Sequence, residues 1–213
     1  MARTASNLVA HEQIYRLGFS AAVLVVVCNP SMGLILYELL KGVNRRLALL
    51  ALLFITISTT LEAVNLTHYI TPLFTFTLPE YSRAFDAGQL QALARGPIRL
   101  WAYLFSVSLI FFGVFCALIG YLFFRSGFFP RILGLLMVAA GVCYWIESFG
   151  LFLRLPDIPY VLRVPLVAEN ALALWLLVAG VDEKKWLAYV RSSLDDNPVA
   201  ATASPRRNGG SIV

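Results

Sequence analysis

Long apolar runs, separated by short polar and basic segments, dominate the chain from residue 15 to residue 181. Five runs are about 20–26 residues long, at about 15–40, 46–70, 99–124, 131–153 and 160–181. At about 1.5 Å of rise per residue, a helix of that length crosses the ~30 Å hydrocarbon core of a bilayer. The spans must be helices, because lipid offers no hydrogen-bond partner to an open strand edge. The pattern therefore predicts an all-α, polytopic transmembrane bundle with five spans.

Polar segments flank these spans. The N-terminal polar segment, residues 1–14, lacks the apolar core of a secretory signal peptide. The C-terminal segment, residues 182–213, is rich in Ser, Pro, Gly and Ala beyond Ser192. A segment of that composition buries too little apolar surface to order itself. We therefore expect a transmembrane bundle over residues 15–181, followed by a cytoplasmic, largely disordered tail.

One long loop, residues 71–98, separates the second span from the third. One face of its stretch "SRAFDAGQLQALARG" is apolar and consists of Phe85, Leu90 and Leu93. A short amphipathic helix of this kind lies at the membrane interface, so we predict an interfacial loop helix at about 84–95. Gly96-Pro97 is expected to end it. Such a helix either packs on the lipid headgroups or covers a site.

Composition supports the assignment to a membrane. The 213 residues are 59% hydrophobic and 14% charged, whereas soluble domains average about 45–50% and about 25%. The net charge of +5 does not indicate nucleic acid, because the basic residues lie in short loops and form no stripe interleaved with exposed aromatic residues. We expect membrane lipid as a partner, and no nucleic acid. The sequence leaves the oligomeric state open.

The lysine and arginine residues divide unevenly between the two sides of the predicted bundle. Ten fall on the side that holds the turns "KGVNRR" and "RSGFFPR" and the C-terminal tail, and seven fall on the other side. The positive-inside rule then predicts a cytoplasmic C-terminus and an outside N-terminus, in the inner (plasma) membrane.

Seven polar residues in or at the ends of the apolar spans are the candidates for a functional site. They are Glu62, Asn65 and His68 in the second span, Glu147 and Arg154 in the fourth, and Glu169 and Asn170 in the fifth. An ionisable residue inside a membrane is a functional-site hypothesis by default, because lipid penalises it. Under the predicted topology all the ionisable members reach the outer half of the bilayer. That depth allows them to share one intramembrane polar pocket.

Three functions are compatible with such a pocket, and the residues leave all three open. The first is transport, or binding of a small polar or lipidic ligand, in which Glu and His side chains can also relay protons. The second is a membrane-embedded hydrolase or transferase that uses the same carboxylates. The third is a structural or accessory subunit, in which hydrogen bonds worth about 0.6–2 kcal/mol each join the helices. We favour the first, with a small ligand or a proton as partner, and assign no catalytic residue.

The chain shows no pattern for a metal or a cofactor. His68 is the one histidine inside a span, and neither HExxH nor a pair of histidines at ligand spacing occurs. The three cysteines are odd in number and widely spaced, so they predict small buried residues rather than a disulfide framework. Gly113 and Gly120, seven residues apart in the third span, predict a close helix contact and not a cofactor loop.

Several stretches resemble one family of prokaryotic multi-pass membrane proteins. They are "ILYELLKGVNRRLALLALLF", "FDAGQLQALA", "FFGVFCALIGYLFFRSGFFPRILGLLMVAAGVCYWIESF" and "AENALALWLLVAGV". The family is the domain of unknown function 4386, and the resemblance covers about residues 15–181. It implies a bundle of transmembrane helices and no established biochemical activity. It also makes Glu147 and Glu169 the first acids to test.

The chain departs from that family pattern in two places. The family usually has six spans, so the resemblance implies that an N-terminal span is absent here. Many relatives carry a histidine at the position of Phe115, and its absence weakens the metal interpretation.

Overall fold

The computed structural model describes Leu8, residues 10–156 and residues 161–195. This part of the chain contains no strand, and its longer elements are helices. They are α1 (Glu12–Thr77), α2 (Pro79–Ala84), α3 (Ala87–Ser126), α4 (Arg131–Leu153), α5 (Arg163–Val178) and α6 (Glu183–Asp195). Within the described residues α1, α3 and α4 are each long and apolar enough to cross a membrane, and α5 with its bent continuation into α6 makes a fourth candidate. The predicted all-α transmembrane bundle is confirmed.

The first helix is a hairpin of two antiparallel arms. At Asn44 the backbone leaves the helical conformation (φ −158°, ψ 103°). The ring of Tyr15 stacks on that of Tyr69 at 4.7 Å, and a Cβ on Gly33 would lie 2.7 Å from Cγ2 of Ile55. Arm 1 (residues 12–43) and arm 2 (residues 45–77) therefore pack side by side. They contain the first and second predicted spans.

Asn44 stabilises the start of arm 2 as its N-cap, since its Oδ1 accepts a hydrogen bond from the backbone N–H of Leu47 at 3.1 Å. We expect Asn44→Ala to lower the free energy of unfolding by about 1 kcal/mol, because the helix loses its cap. Asn44→Asp keeps the acceptor and serves as the control. Unfolding in detergent should separate the two variants. Equal losses in both would show that the side-chain cap does not stabilise the turn.

The helices pack in an order that follows the chain. Arm 2 lies antiparallel to α3, where Oγ of Ser58 donates to the carbonyl oxygen of Ser108 at 2.9 Å. Helix α3 packs against α4, and α4 against α5. Glycines make the α3–α4 contact close, since a Cβ on Gly113 would lie 2.9 Å from the carbonyl oxygen of Gly141. The predicted close contact at Gly113 and Gly120 is confirmed.

The loop after the second span differs from the prediction. Helix α3 begins at Ala87 and runs through Gly96 and Pro97 to Ser126, so the expectation that Gly96-Pro97 ends a separate helix at about 84–95 is wrong. Asp86 starts α3 with a capping box, in which its Oδ1 accepts from the N–H of Gln89 at 2.9 Å and its own N–H donates to Oε1 of Gln89 at 3.0 Å. Proline is tolerated inside membrane helices because neighbouring groups satisfy the freed backbone atoms.

The predicted tail, residues 182–213, contains a helix at its start. Helix α6 covers Glu183–Asp195, so the expectation of disorder is wrong for those residues, and residues 196–213 lie outside the described part. Asp182 caps α6 by accepting from the N–H of Lys185 at 3.2 Å. Nε1 of Trp186 donates to the carbonyl oxygen of Leu39 at 3.2 Å and fastens α6 to arm 1. The cap and this tryptophan stabilise a helix most of which precedes the Ser-, Pro-, Gly- and Ala-rich stretch beyond Ser192.

Candidate functional site

The seven predicted site residues lie in more than one helix interface. Asn65 of arm 2 faces α3, where its Nδ2 donates to the carbonyl oxygen of Trp101 at 3.0 Å. Glu169 of α5 faces α4, where its Oε1 accepts from the hydroxyl of Tyr144 at 2.5 Å. Arm 2 and α5 lie on opposite sides of the α3–α4 pair in the packing order. The acids at 62 and 169 therefore do not meet in one pocket.

The α4–α5 interface holds a hydrogen-bonded acid. The Tyr144 hydroxyl donates to Glu169 across the interface, and the Phe112 ring of α3 contacts the Tyr144 ring edge-on at 5.5 Å. Cys116 of α3 is fully buried. Glu169 thus links α5 to α4 beside the packed core of α3, as a helix-joining carboxylate does.

The other predicted residues of α4 and α5 are not joined to Glu169. Glu147 is half-buried and makes no hydrogen bond or ion pair with any described residue. Arg154 is exposed and ends α4 in the left-handed conformation, at φ 52°. Asn170 is exposed, and its Nδ2 donates to the carbonyl oxygen of Leu166 in its own helix at 2.7 Å. No ion pair joins Glu147 to Arg154 in the described residues.

The arm 2–α3 side holds two buried oxygen atoms without a hydrogen-bond donor. Asn65 is 1% exposed and Thr59 is 4% exposed. In the described part of the chain, Oδ1 of Asn65 and Oγ1 of Thr59 are the buried side-chain atoms that lack a partner. The orientation of the Asn65 amide follows from its contacts, because only the nitrogen can donate to the Trp101 carbonyl oxygen.

Glu62 lies between these two oxygen atoms along arm 2. Glu62 is three residues, or nearly one helical turn, from both Thr59 and Asn65. Around the helix axis it lies about 60° from each of these two residues. Asn65 faces α3, and Thr59 lies on the side of Ile55, which contacts Gly33 of arm 1. Glu62 therefore points between α3 and arm 1. It is half-buried, and no described residue pairs with its carboxylate.

We call this region the arm 2 groove and define it by Thr59, Glu62 and Asn65. Aromatic rings close its end nearer the N-terminus of arm 1, where Tyr69 stacks on Tyr15 at 4.7 Å and meets Trp101 edge-on at 6.1 Å. His68 is half-buried and lies about 120° around the helix from Glu62, beyond Asn65. It belongs to the same arm but does not face the groove.

Thr59 and Tyr144 are not among the residues predicted from the sequence. Thr59 stands three residues before Glu62, at the same spacing that singled out Asn65 and His68, so that periodicity was a usable signal. Tyr144 has no such signal, because its partner Glu169 is 25 residues away in another helix. Among the described residues no three His, Cys, Asp or Glu side chains converge as metal ligands.

One family model covers most of the chain. It is described as a domain of unknown function (DUF4386) and matches residues 1–180. Neither a curated protein nor a solved structure matches the chain. The match agrees with the membrane-spanning helices described above, and the chain belongs to the DUF4386 family.

Proposed function

We propose that this membrane protein binds a small polar ligand in the arm 2 groove. The supporting observation is the pair of buried side-chain oxygens without a hydrogen-bond partner, the accepting Oδ1 of Asn65 and the hydroxyl Oγ1 of Thr59, three residues on either side of Glu62. Each buried polar atom left unsatisfied costs about 1–3 kcal/mol, and lipid supplies no substitute partner. A ligand that donates hydrogen bonds would remove that cost.

The chemistry of the groove favours a cation over a neutral donor. Glu62 has no cationic partner among the described residues, and the amide oxygen of Asn65 only accepts hydrogen bonds. An ammonium group, or a hydrated proton, offers several donors and the opposite charge.

A structural role has support at a different place. Glu169 already accepts a hydrogen bond from Tyr144 across the α4–α5 interface. Such a hydrogen bond is expected of an acid that stabilises helix packing. Glu62 and Glu147 have no such partner in the described residues. We therefore assign helix joining to Glu169 and ligand binding to the arm 2 groove.

The proposal is tested by thermal unfolding of the full-length protein in detergent with ammonium chloride, ethanolamine, choline chloride or glycerol. We expect at least one cationic probe to raise the melting temperature saturably in the wild type, and glycerol to have no such effect. The variant Thr59→Val/Asn65→Leu should lose the response, because both unpaired acceptors are gone. Thr60→Val is the matched control, since the exposed Thr60 hydroxyl already donates to the carbonyl oxygen of Thr56 at 2.8 Å.

The variants also separate binding from packing without any probe. Thr59→Val should unfold at the wild-type temperature or above it, because a methyl group replaces a buried hydroxyl that has no partner. A clear loss of stability in Thr59→Val, together with no response of the wild type to any probe, would contradict the proposal. Thr59, Glu62 and Asn65 would then contribute only to helix packing.

A further inference from the structure

Helix α6 brings together three segments that are far apart in sequence. Trp186 of α6 donates to the carbonyl oxygen of Leu39, just before the hairpin turn of α1. The Tyr189 ring meets that of Phe128, in the turn between α3 and α4, at 6.0 Å. The hairpin turn, the α3–α4 turn and α6 therefore form one surface at one end of the bundle.

The direction of α6 suits a membrane surface. The axis of its described start, Glu183–Tyr189, is bent by 97° from that of α5 (Arg163–Val178). Because α6 contacts both the hairpin turn of α1 and the α3–α4 turn, it lies across the ends of these helices and not alongside them. Trp186 and Tyr189 point into the bundle and are half-buried, whereas Lys184 and Lys185 are exposed. A helix with this division between apolar and basic faces is typical of the membrane interface.

The surface holds an excess of unpaired positive charge. Two of its lysines already have acidic partners, since Lys41 pairs with Glu38, and Lys185 pairs with Asp182 at 3.1 Å. Five basic side chains are exposed and lack an ion pair among the described residues; they are Arg45, Arg46, Arg125, Arg131 and Lys184. We call these five basic residues the basic surface. The remaining acid on the described part of this end of the bundle is Glu183.

Two of these arginines lie at the level where apolar spans meet headgroups. The guanidinium carbon of Arg125 lies 5.9 Å from the centre of the Tyr121 ring, and that of Arg131 lies 5.6 Å from the centre of the Phe124 ring. Such cation–π contacts hold a charge beside an exposed ring, and aromatic residues concentrate at the membrane interface. These contacts therefore place both charges beside exposed rings, at the end of α3 and the start of α4.

We infer that the basic surface binds the phosphate groups of anionic phospholipids, with α6 lying among the headgroups. Anionic lipid fits better than nucleic acid, because the charges form a band at the edge of the apolar spans and not a projecting face. Each cation near an anionic membrane adds to the attraction, and the attraction is screened by salt. The inference does not depend on the arm 2 groove.

The test compares binding of phosphatidylglycerol and phosphatidylcholine to the full-length protein in detergent, measured by native mass spectrometry. The test variant is Arg45→Gln/Arg46→Gln/Lys184→Gln. The matched control, Arg83→Gln/Arg95→Gln/Arg99→Gln, removes three exposed charges from the opposite end of the bundle. A second variant, Arg45→Lys/Arg46→Lys, keeps the charge and shows whether the turn still folds.

We expect the wild type, the control and the lysine variant to prefer phosphatidylglycerol. The test variant should lose about tenfold or more of that preference, and raised salt should reduce the preference in every protein that shows it. Retention of the preference in the test variant, or an equal loss in the control, would overturn the inference. Tighter binding of a short DNA duplex than of phosphatidylglycerol, at equal phosphate concentration, would overturn it too.

Discussion

Gly120→Ala is expected to lower the free energy of unfolding by about 3 kcal/mol, the upper part of the range for an overpacked contact. A Cβ at this position would lie 2.5 Å from the carbonyl oxygen of Gly134 and 2.8 Å from the backbone nitrogen of Val138. Both atoms belong to the backbone of α4, so no side chain can rotate away. The methyl group must push α3 and α4 apart, which breaks close packing on which membrane helices depend.

Gly150→Ala is the matched control for Gly120→Ala. Gly150 lies in α4, and nothing stands within 4 Å of the Cβ it would gain. Its substitution should leave stability unchanged or raise it by up to about 1 kcal/mol, because alanine favours a helix over glycine. Unfolding of both variants in the same detergent measures the difference. If the two variants unfold together, α3 and α4 are further apart than described here.

Tyr144→Phe is expected to lower the free energy of unfolding by about 1–3 kcal/mol, because it leaves the Glu169 carboxylate without its donor inside the bundle. Glu169→Leu removes the acid altogether and should cost much less. The double variant should then match Glu169→Leu alone. The coupling energy from this double-mutant cycle should then equal the loss in Tyr144→Phe, about 1–3 kcal/mol.

A second cycle provides the control for this coupling. Tyr103 is an exposed tyrosine of α3 whose ring stacks on Phe152 at 6.2 Å, and its hydroxyl makes no hydrogen bond with a described residue. Tyr103→Phe combined with Glu169→Leu should be additive. Additivity in the Tyr144 cycle as well would mean that the hydrogen bond does not stabilise the bundle. Glu169 would then become a second candidate for ligand binding, beside Glu62.

Together the two acids illustrate different uses of a carboxylate in one bundle. Glu169 has a donor across a helix interface, whereas Glu62 lies three residues from each of two buried side-chain oxygens that have no partner. The same residue type therefore predicts opposite effects of substitution. Removal of the Tyr144 donor should weaken the fold, and removal of the Thr59 hydroxyl should weaken binding and not the fold.

The properties that depend on one stretch of chain at a time are predictable from the amino-acid sequence. The length of each apolar run decides whether a helix reaches across the bilayer, so the transmembrane bundle was predictable. The hairpin turn was expected between the first two spans, and it occurs at Asn44. The seven-residue spacing of Gly113 and Gly120 places both on one face of a helix, and that face is where α4 packs.

Contacts between side chains of different helices depend on how those helices pack. Helical periodicity gives the direction of Glu62 or Glu169 around its own axis, but not which neighbouring helix stands in that direction. The predicted shared pocket was based on depth, and depth is the same for residues in different interfaces. Tyr144 pairs with Glu169 because α4 packs against α5. Oδ1 of Asn65 lacks a donor because the neighbouring helices place none beside it. Those contacts join residues distant in sequence, so no local pattern contains them.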